Sequence, residues 1–325
     1  MGIVGLGMAV TPHAKSLLDL KARVQVAYAF SPSAERRAKF AERFPFPQAE
    51  RFEQILDDPA VDAVLILTPP NTHLEIAEEC AAAGKHVLLE KPVEISTARA
   101  ERLVNIFAEK KLKLGVVLQH RFRPAAERLH DLLPQLGKIV SASAMVPNWR
   151  PQSYYDQPGR GTRARDGGGV LLTQGIHTLD LFLSYAGEPQ EVKSFTTTTP
   201  AHRMETEDLA CAAVQFQSGA LGVVHATTTA YPGFPERIEL IGTQGTASLE
   251  GTFLQVDFHD KPSIQFSTDG GGGGTGADPM AFPHDWHRGV LADFLYAIEQ
   301  DREPRVSGAE ALKVHRFIDR LLQSR

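Results

Sequence analysis

Gly2-Ile3-Val4-Gly5-Leu6-Gly7-Met8-Ala9-Val10 opens the chain, a short β-branched run followed by a Gly-x-Gly turn. Glycines between a strand and a helix allow a tight turn and a close backbone approach. The helix start that follows offers free N–H groups to a pyrophosphate. Met8 enters the same turn. Val10 stands where a third glycine is expected, and a valine there needs more room between helix and strand. Met1 leaves little strand ahead of the motif, which points to a start slightly upstream. A Gly-x-Gly alone is often no more than a turn, so its meaning rests on what surrounds it.

Outward from that turn the chain alternates. Short apolar runs at 24–30 (VQVAYAF), 61–67 (VDAVLIL), 86–89 and 114–118 read as strands. Stretches at 12–20, 33–44, 72–83 and 96–111 carry apolar residues at helical spacing. Ser96 is an expected N-cap with Leu103, Ile106 and Phe107 on one face, and Gly84 is placed to stop the helix before it. Nearly all-apolar strands alternating with helices predict a doubly wound parallel sheet of Rossmann type, an α/β fold. Beyond Gln119 the pattern changes. A helix at 124–136 and a strand at 139–146 lead through a polar stretch to a helix at 170–185. Strands follow at 191–199 (including the Thr-rich run 196–199), 209–217, 220–230 and 237–241. Their turns, Ser218-Gly219 and Gln244-Gly245, suit antiparallel hairpins. Residues 270–274 are all glycine and read as a flexible loop. Helices at 286–299 and 309–322 close the chain. The expected division is 1–121 and 122–325.

The second strand ends Tyr28-Ala29-Phe30-Ser31-Pro32-Ser33 and carries no acid at its tip. A carboxylate there would accept from the adenosine ribose and repel a 2′-phosphate. Ser31 and Ser33, with Arg36 and Arg37 on the next helix, suit that phosphate instead, so NADP is favoured over NAD. The plainer role for either arginine is to solvate an exposed helix.

The bulk numbers narrow the function classes. At 325 residues, 42% hydrophobic and 22% charged, the chain has the composition of a globular protein with two cores. A net charge of −5 gives no footprint for nucleic acid or anionic membrane. No apolar run is long enough to cross a bilayer. Two distant cysteines, Cys80 and Cys211, make no disulfide framework, and no signal-peptide pattern is present. The expected compartment is the cytoplasm.

Three further segments resemble the oxidoreductase family named for glucose–fructose oxidoreductase, inositol dehydrogenase and a rhizopine-catabolism protein (Gfo/Idh/MocA). Leu67-Thr68-Pro69-Pro70-Asn71-Thr72-His73 is similar to its third-strand loop beside the cofactor. Glu90-Lys91-Pro92 is similar to its E-K-P signature. Asp166-Gly167-Gly168-Gly169 through His177 is similar to its G-G-x-x-x-D-x-x-x-H segment. Arg121-Phe122-Arg123-Pro124 and the closing Asp293-Phe294 helix add support. The resemblance implies a C-terminal α/β domain with a large, open, mainly antiparallel sheet that forms a homodimer or homotetramer. It implies hydride transfer between a nicotinamide and a hydroxyl-bearing carbon of a sugar, cyclitol, nucleotide sugar or related compound. Lys91 and His177 take the places of the family's catalytic lysine and histidine. Its aspartate falls on Thr173. The cofactor set becomes Gly5, Gly7, Met8, Ser31, Ser33, Arg36, Thr68, Pro69, Asn71, His73, Glu90, Lys91 and Gln119.

The chemistry of these residues agrees. Oxidising an alcohol needs a base for the hydroxyl proton, and an imidazole titrates near neutrality. An ammonium beside the same oxygen stabilises the developing alkoxide. Thr173 and His177 are four apart, so a continuous helix would project both from one face. A threonine there can orient the histidine but cannot stabilise an imidazolium as a carboxylate would. Singly, a histidine in an amphipathic helix or a lysine after a strand is more often structural. Arg121, Tyr155 and Arg163 are the expected substrate contacts, although the loop 148–165 reads equally as an ordinary surface loop with aromatic anchors. His284-Asp285-Trp286-His287 supplies too few separated ligands for a metal, so no metal is predicted and Asp285 is expected to help cap the helix. Two other functions remain open on the same scaffold: a non-catalytic NAD(P) or sugar sensor, and a reductase of non-sugar carbonyl compounds.

Overall fold

A computed structural model describes residues 1–268, 276 and 283–323; the glycine run 270–274 lies outside the described residues. The chain divides into two compact units, Met1–Gln119 with His284–Leu312, and His120–Pro283 with Lys313–Arg325.

The first unit is built on strands β1 (Gly2–Val4), β2 (Tyr28–Phe30), β3 (Gln48–Ala49), β4 (Ala63–Ile66), β5 (His86–Leu89) and β6 (Leu114–Val116). They form one sheet in the order β3-β2-β1-β4-β5-β6, with every pairing parallel. Helices α1 (Val10–Asp19), α2 (Ala34–Ala41), α3 (Glu53–Leu56), α4 (His73–Ala82) and α5 (Thr97–Glu109) make the connections. All four residues of β4 are buried, as expected of a strand covered on both faces. Ser96 caps α5 by accepting from the Arg99 amide at 3.4 Å, and Gly84 takes a positive φ after α4. The second strand is shorter than expected. Residues 24–27 do not join its ladder, although Gln25 and Ala27 are bonded to the Met1 backbone. The strand order reverses between β1 and β4, and such a switch point opens a ligand crevice at the carboxyl ends of the strands.

The second unit begins with α6 (Pro124–Leu132), extended by a 3-10 turn (Leu133–Leu136), and strand β7 (Ile139–Pro147). Three short helices follow, α7 (Gln152–Tyr155), α8 (Arg163–Asp166) and α9 (Val170–Thr173), and then the longer α10 (Ile176–Ala186). The single helix expected over 170–185 is therefore broken. Gly175 bonds back to the Val170 carbonyl at 2.7 Å, five residues away, and α10 starts afresh at Ile176. Strands β8 (Pro189–Thr197), β9 (Leu209–Phe216), β10 (Leu221–Thr227), β11 (Arg237–Gly242), β12 (Gly245–Glu250), β13 (Phe253–Phe258) and β14 (Ile264–Ser267) complete an eight-stranded sheet. Its order is β14-β13-β12-β11-β7-β10-β9-β8, antiparallel throughout except for β7 with β10. Both expected hairpin turns are present, whereas the Thr-rich run leaves the strand after Thr197. Strands β12 to β14 extend the sheet beyond the strands expected from the sequence.

One face of this sheet is core, with Ala142, Ala144, Val146, Val214, Phe216, Leu240 and Val256 buried. The other face carries Phe195 at 82% exposure with Leu221, Val223, Ile241 and Phe253 also exposed. Registry places Leu221 and Ile241 on either side of Ser141, so these side chains share one surface.

Two helices end the chain, α11 (Asp285–Glu299) and α12 (Gly308–Gln323). Asp285 lies in the first turn of α11 and pairs with Arg288 at 2.5 Å, so it does not cap the helix. Helix α11 is tied to α1, where Asp19 meets His284 at 2.9 Å and Arg288 at 2.8 Å. None of the described helices is long and apolar enough to cross a membrane.

Candidate active site

The nucleotide side is built where β1 ends. Gly5 has φ +102°, and a Cβ there would meet the Leu67 and Thr68 backbone at 2.7–2.9 Å, so no other residue fits. Gly7 differs: an added Cβ would meet nothing within 4 Å. The turn thus closes tightly on the β4 loop at Gly5 and leaves open space at Gly7, as a phosphate-receiving turn requires. Val10 is buried as the first residue of α1. Met8 is exposed.

At the tip of β2, Ser31 is buried and its Oγ accepts from the Ser33 amide at 3.4 Å. Ser33 caps α2 through the Arg36 amide. The Arg36 side chain is exposed, whereas Arg37 reaches back to the Ser31 carbonyl at 2.6 Å. Arg37 is the arginine that braces this edge.

Thr68, Pro69 and Asn71 line the loop after β4, where Thr72 Oγ1 donates to Thr68 Oγ1 at 2.8 Å. His73 is fully buried. Its Nε2 lies 2.9 Å from the Thr68 carbonyl, and its Nδ1 3.1 and 3.2 Å from the Pro92 and Val93 carbonyls. It is a strut between the β4 loop and the Glu90-Lys91-Pro92 turn. Burial lowers its pKa, against the pull of those carbonyls.

Lys91 follows β5 by two residues. Its amide donates to Glu90 Oε2 at 3.0 Å, while Glu90 Oε1 accepts from His13 Nε2 at 2.7 Å. His287 meets the His13 ring edge-on at 4.8 Å. Burial alone would raise the Glu90 carboxyl. The hydrogen bond from His13, with the pull of the neighbouring positive groups, outweighs it and holds the carboxyl at about 2. Burial pushes His287 down to about 3. The donor atoms of His13, Glu90 and His287 lie within 4.8 Å of one another. A four-coordinate ion bound at roughly 2.1 Å separates its ligands by about 3.4 Å, so the 2.7 Å pair is spaced for a shared proton. Gln119, at the end of the unit, is buried, and its Oε1 carries no hydrogen bond among the described residues. An open turn at Gly7 and an unspent acceptor at Gln119 fit a nicotinamide dinucleotide.

The second unit carries the other half of the expected set. Gly169 lets two segments touch: a Cβ there would lie 1.8 Å from the Glu207 carbonyl oxygen. The Glu207 carboxylate accepts from the Gly169 and Leu171 amides at 3.0 and 3.1 Å, pinning the start of α9. Thr173 Oγ1 donates to the Gly169 carbonyl at 2.6 Å and also contacts Gln174 Oε1. The break at Gly175 separates Thr173 from His177, so the two do not share one continuous helical face.

His177 is buried on the first turn of α10, with the His120 ring stacked on it at 4.7 Å and 28°. Arg121 forms a two-pronged pair with Asp180, 2.7 Å on each prong. Tyr155 is buried with its hydroxyl donating to Thr228 at 2.9 Å, and burial pushes its pKa up to about 12. Arg163 is exposed beside Glu205. Of the expected substrate contacts, Arg121 and Tyr155 thus make structural bonds. His13 and His120 were not singled out from sequence, and His287 was weighed there only as a metal ligand. For His13 the available signal was a polar residue on the buried side of a helix, which is weak, and His120, in the 3-10 turn Gln119–Phe122, offered none.

Residues 1–118 match the family model described as "Oxidoreductase family, NAD-binding Rossmann fold", and residues 134–248 match the GFO/IDH/MocA C-terminal domain. The chain is 29% identical over 255 residues to the myo-inositol 2-dehydrogenase of Thermotoga maritima, covering 75% of this chain and 73% of that one. It is 26% identical to a D-xylose 1-dehydrogenase (NADP(+)) of Haloferax volcanii, over 100% and 95% of the two chains. Among solved structures, the WlbA dehydrogenase of Chromobacterium violaceum, in complex with NADH and UDP-GlcNAcA, superposes with a TM-score of 0.86. It is 26% identical, and the match covers 99% of this chain and 92% of that one.

Proposed function

Because the chain belongs to the Gfo/Idh/MocA oxidoreductase family, we propose that it moves a hydride between a nicotinamide and a hydroxyl-bearing carbon of a sugar, cyclitol or nucleotide sugar. The observation that carries this reading is the Lys91 turn. A lysine at the carboxyl end of a central parallel strand has its backbone set by a buried carboxylate that is itself held by a histidine. Such wiring is wasted on a solvating lysine and suits one that must meet a reacting oxygen.

His177 is the base in this reading and takes the hydroxyl proton, while the Lys91 ammonium stabilises the oxygen as charge develops. The nicotinamide, when bound, accepts the hydride from the same carbon, leaving a carbonyl. Gly5, Gly7, Thr68, Pro69, Asn71 and Gln119 hold the cofactor. His73 and Glu90 keep those loops in place. Ser31, Ser33 and the arginines of α2 favour NADP over NAD, since a 2′-phosphate meets no carboxylate at the tip of β2. The exposed apolar face of the eight-stranded sheet is the surface through which copies of the chain associate in the cytoplasm.

Nicotinamide absorbance, followed while polyols, aldoses, cyclitols and nucleotide sugars are offered with each cofactor, tests this directly. Turnover of at least one hydroxylated compound is expected. Tight cofactor binding with no turnover across the panel would favour a sensor on the same scaffold.

A further inference from the structure

Thr173 stands four residues before His177 and cannot ionise, and the structure places another ring against His177. A carboxylate four residues before the base does two things: it orients the imidazole, and it stabilises the imidazolium once the proton arrives. Thr173 carries no charge, and its hydroxyl donates to the Gly169 carbonyl on the far side of the helix break. The ring of His120 lies face-on to His177 at 4.7 Å, and both residues are buried.

His120 is itself fixed. Its Nε2 contacts the Arg123 guanidinium, and a guanidinium only donates, so Nε2 accepts and the ring proton sits on Nδ1. Arg123 is buried and pairs with Glu236 at 3.5 Å. Glu236, Arg123, His120 and His177 therefore form a line that ends on the base. The ring presented to His177 is neutral, and its π-face is the electron-rich side.

We propose that His120 is the positioning residue for His177, its neutral ring face taking over the orienting and charge-stabilising work that a carboxylate at position 173 would do. This rests on the reading of His177 as the base. A ring stacked with its centroid 4.7 Å away and tilted by 28° restricts the plane of the imidazole, and ion–quadrupole attraction favours a cation over that face. Among the described residues, Arg123 opposes the imidazolium with Glu236 behind it, the mutually neutralised Arg121–Asp180 pair lies one turn along α10, and Arg237 and Glu239 pair with each other on β11.

Proton NMR titration of His177 in the full chain tests the proposal whether or not a substrate is in hand. Three variants separate the ring from the acceptor it offers Arg123. His120→Phe keeps the ring and loses the acceptor, His120→Gln keeps an acceptor and loses the ring, and His120→Leu loses both. Proton affinity of His177 is expected to fall roughly 2- to 30-fold in the Gln and Leu variants and to hold within about twofold in Phe. With an active substrate, kcat should fall in the same order while the cofactor Kd stays unchanged. Equal titration in all four proteins, or affinity that follows the acceptor and not the ring, would overturn it. Should Leu fail to fold, the Gln and Phe pair decides alone. Full turnover by His177→Ala would instead defeat the reading of His177 as base, leaving the titration result standing.

Discussion

The two sheets of this protein serve opposite ends, one built from strands of two to four residues and the other from strands of four to nine. The parallel sheet is sealed, with all of β4 and all of β1 buried, so its chemistry is confined to the loops at its carboxyl edge. The eight-stranded sheet is sealed on one side only, and the large apolar side chains Phe195, Leu221 and Val223 lie open on the other. Register explains the contrast: a parallel sheet between helix layers buries both side-chain sets, whereas an open sheet with helices on one side buries alternate residues. A sealed sheet makes a site at its ends, and a half-covered sheet makes a surface.

The largest expected effect breaks an end while sparing the sheet. Lys91→Met keeps most of the length and removes the charge, and His177→Ala removes the base. Each should lower kcat by about 10²–10⁴-fold with cofactor affinity and melting temperature nearly unchanged. Retained activity in either variant would show that the site is not at these strand and helix ends.

Acid sharpens the contrast within the first unit. His287 is held neutral down to about pH 3 in the folded chain, but its unfolded counterpart protonates near 6.5. The unfolded state therefore binds more protons between those values, and stability should fall as pH drops from about 7 towards 3, by a few kcal/mol. Glu90, depressed to about 2, adds its own loss below about pH 4.5. Denaturant unfolding at a series of pH values reads this directly. His287→Phe keeps an aromatic edge against His13 and should flatten the profile between pH 6.5 and 4. An unaltered slope would remove His287 as its source.

A smaller effect is expected on the open face. Phe195→Glu with Leu221→Lys should lower the self-association affinity, measured by sedimentation, by about tenfold or more and leave melting of the isolated chain within ~1 kcal/mol. Unchanged mass at every concentration would take this face out of assembly.

The smallest concerns the β2 tip. Ser31→Asp keeps an acceptor for the Ser33 amide and adds a charge that repels a 2′-phosphate. Calorimetry should show preference moving towards NAD(H) by roughly tenfold. A strong NADH preference in the unaltered protein would contradict the NADP reading outright.

How much of this was legible varies with the range of the interaction. The parallel unit was readable because alternation of apolar runs and helical periods is written locally, and Gly5, Ser96 and Gly84 each mark a boundary by their own backbone or side-chain chemistry. Strands β12 to β14 were not, although β13 (Phe253–Phe258) alternates in burial much as the strands that were expected do. The helix break at Gly175 was hidden because Val170 to Ala186 has helical periodicity throughout, and the interruption shows only in the fold, where the Gly175 amide bonds to the Val170 carbonyl five residues back.

By itself, then, the sequence determined the fold class and the family, since each is written in local patterns, and it nominated the Gly5–Gly7 turn, Lys91 and His177 as the site to test. Only the tertiary structure decided what holds them. His13 meets Glu90 across 77 positions, His73 meets Pro92 across 19, and His120 meets His177 across 57. A histidine's partner depends on which buried faces the folded chain brings together, and helical periodicity marks a face as buried without saying what lies opposite it.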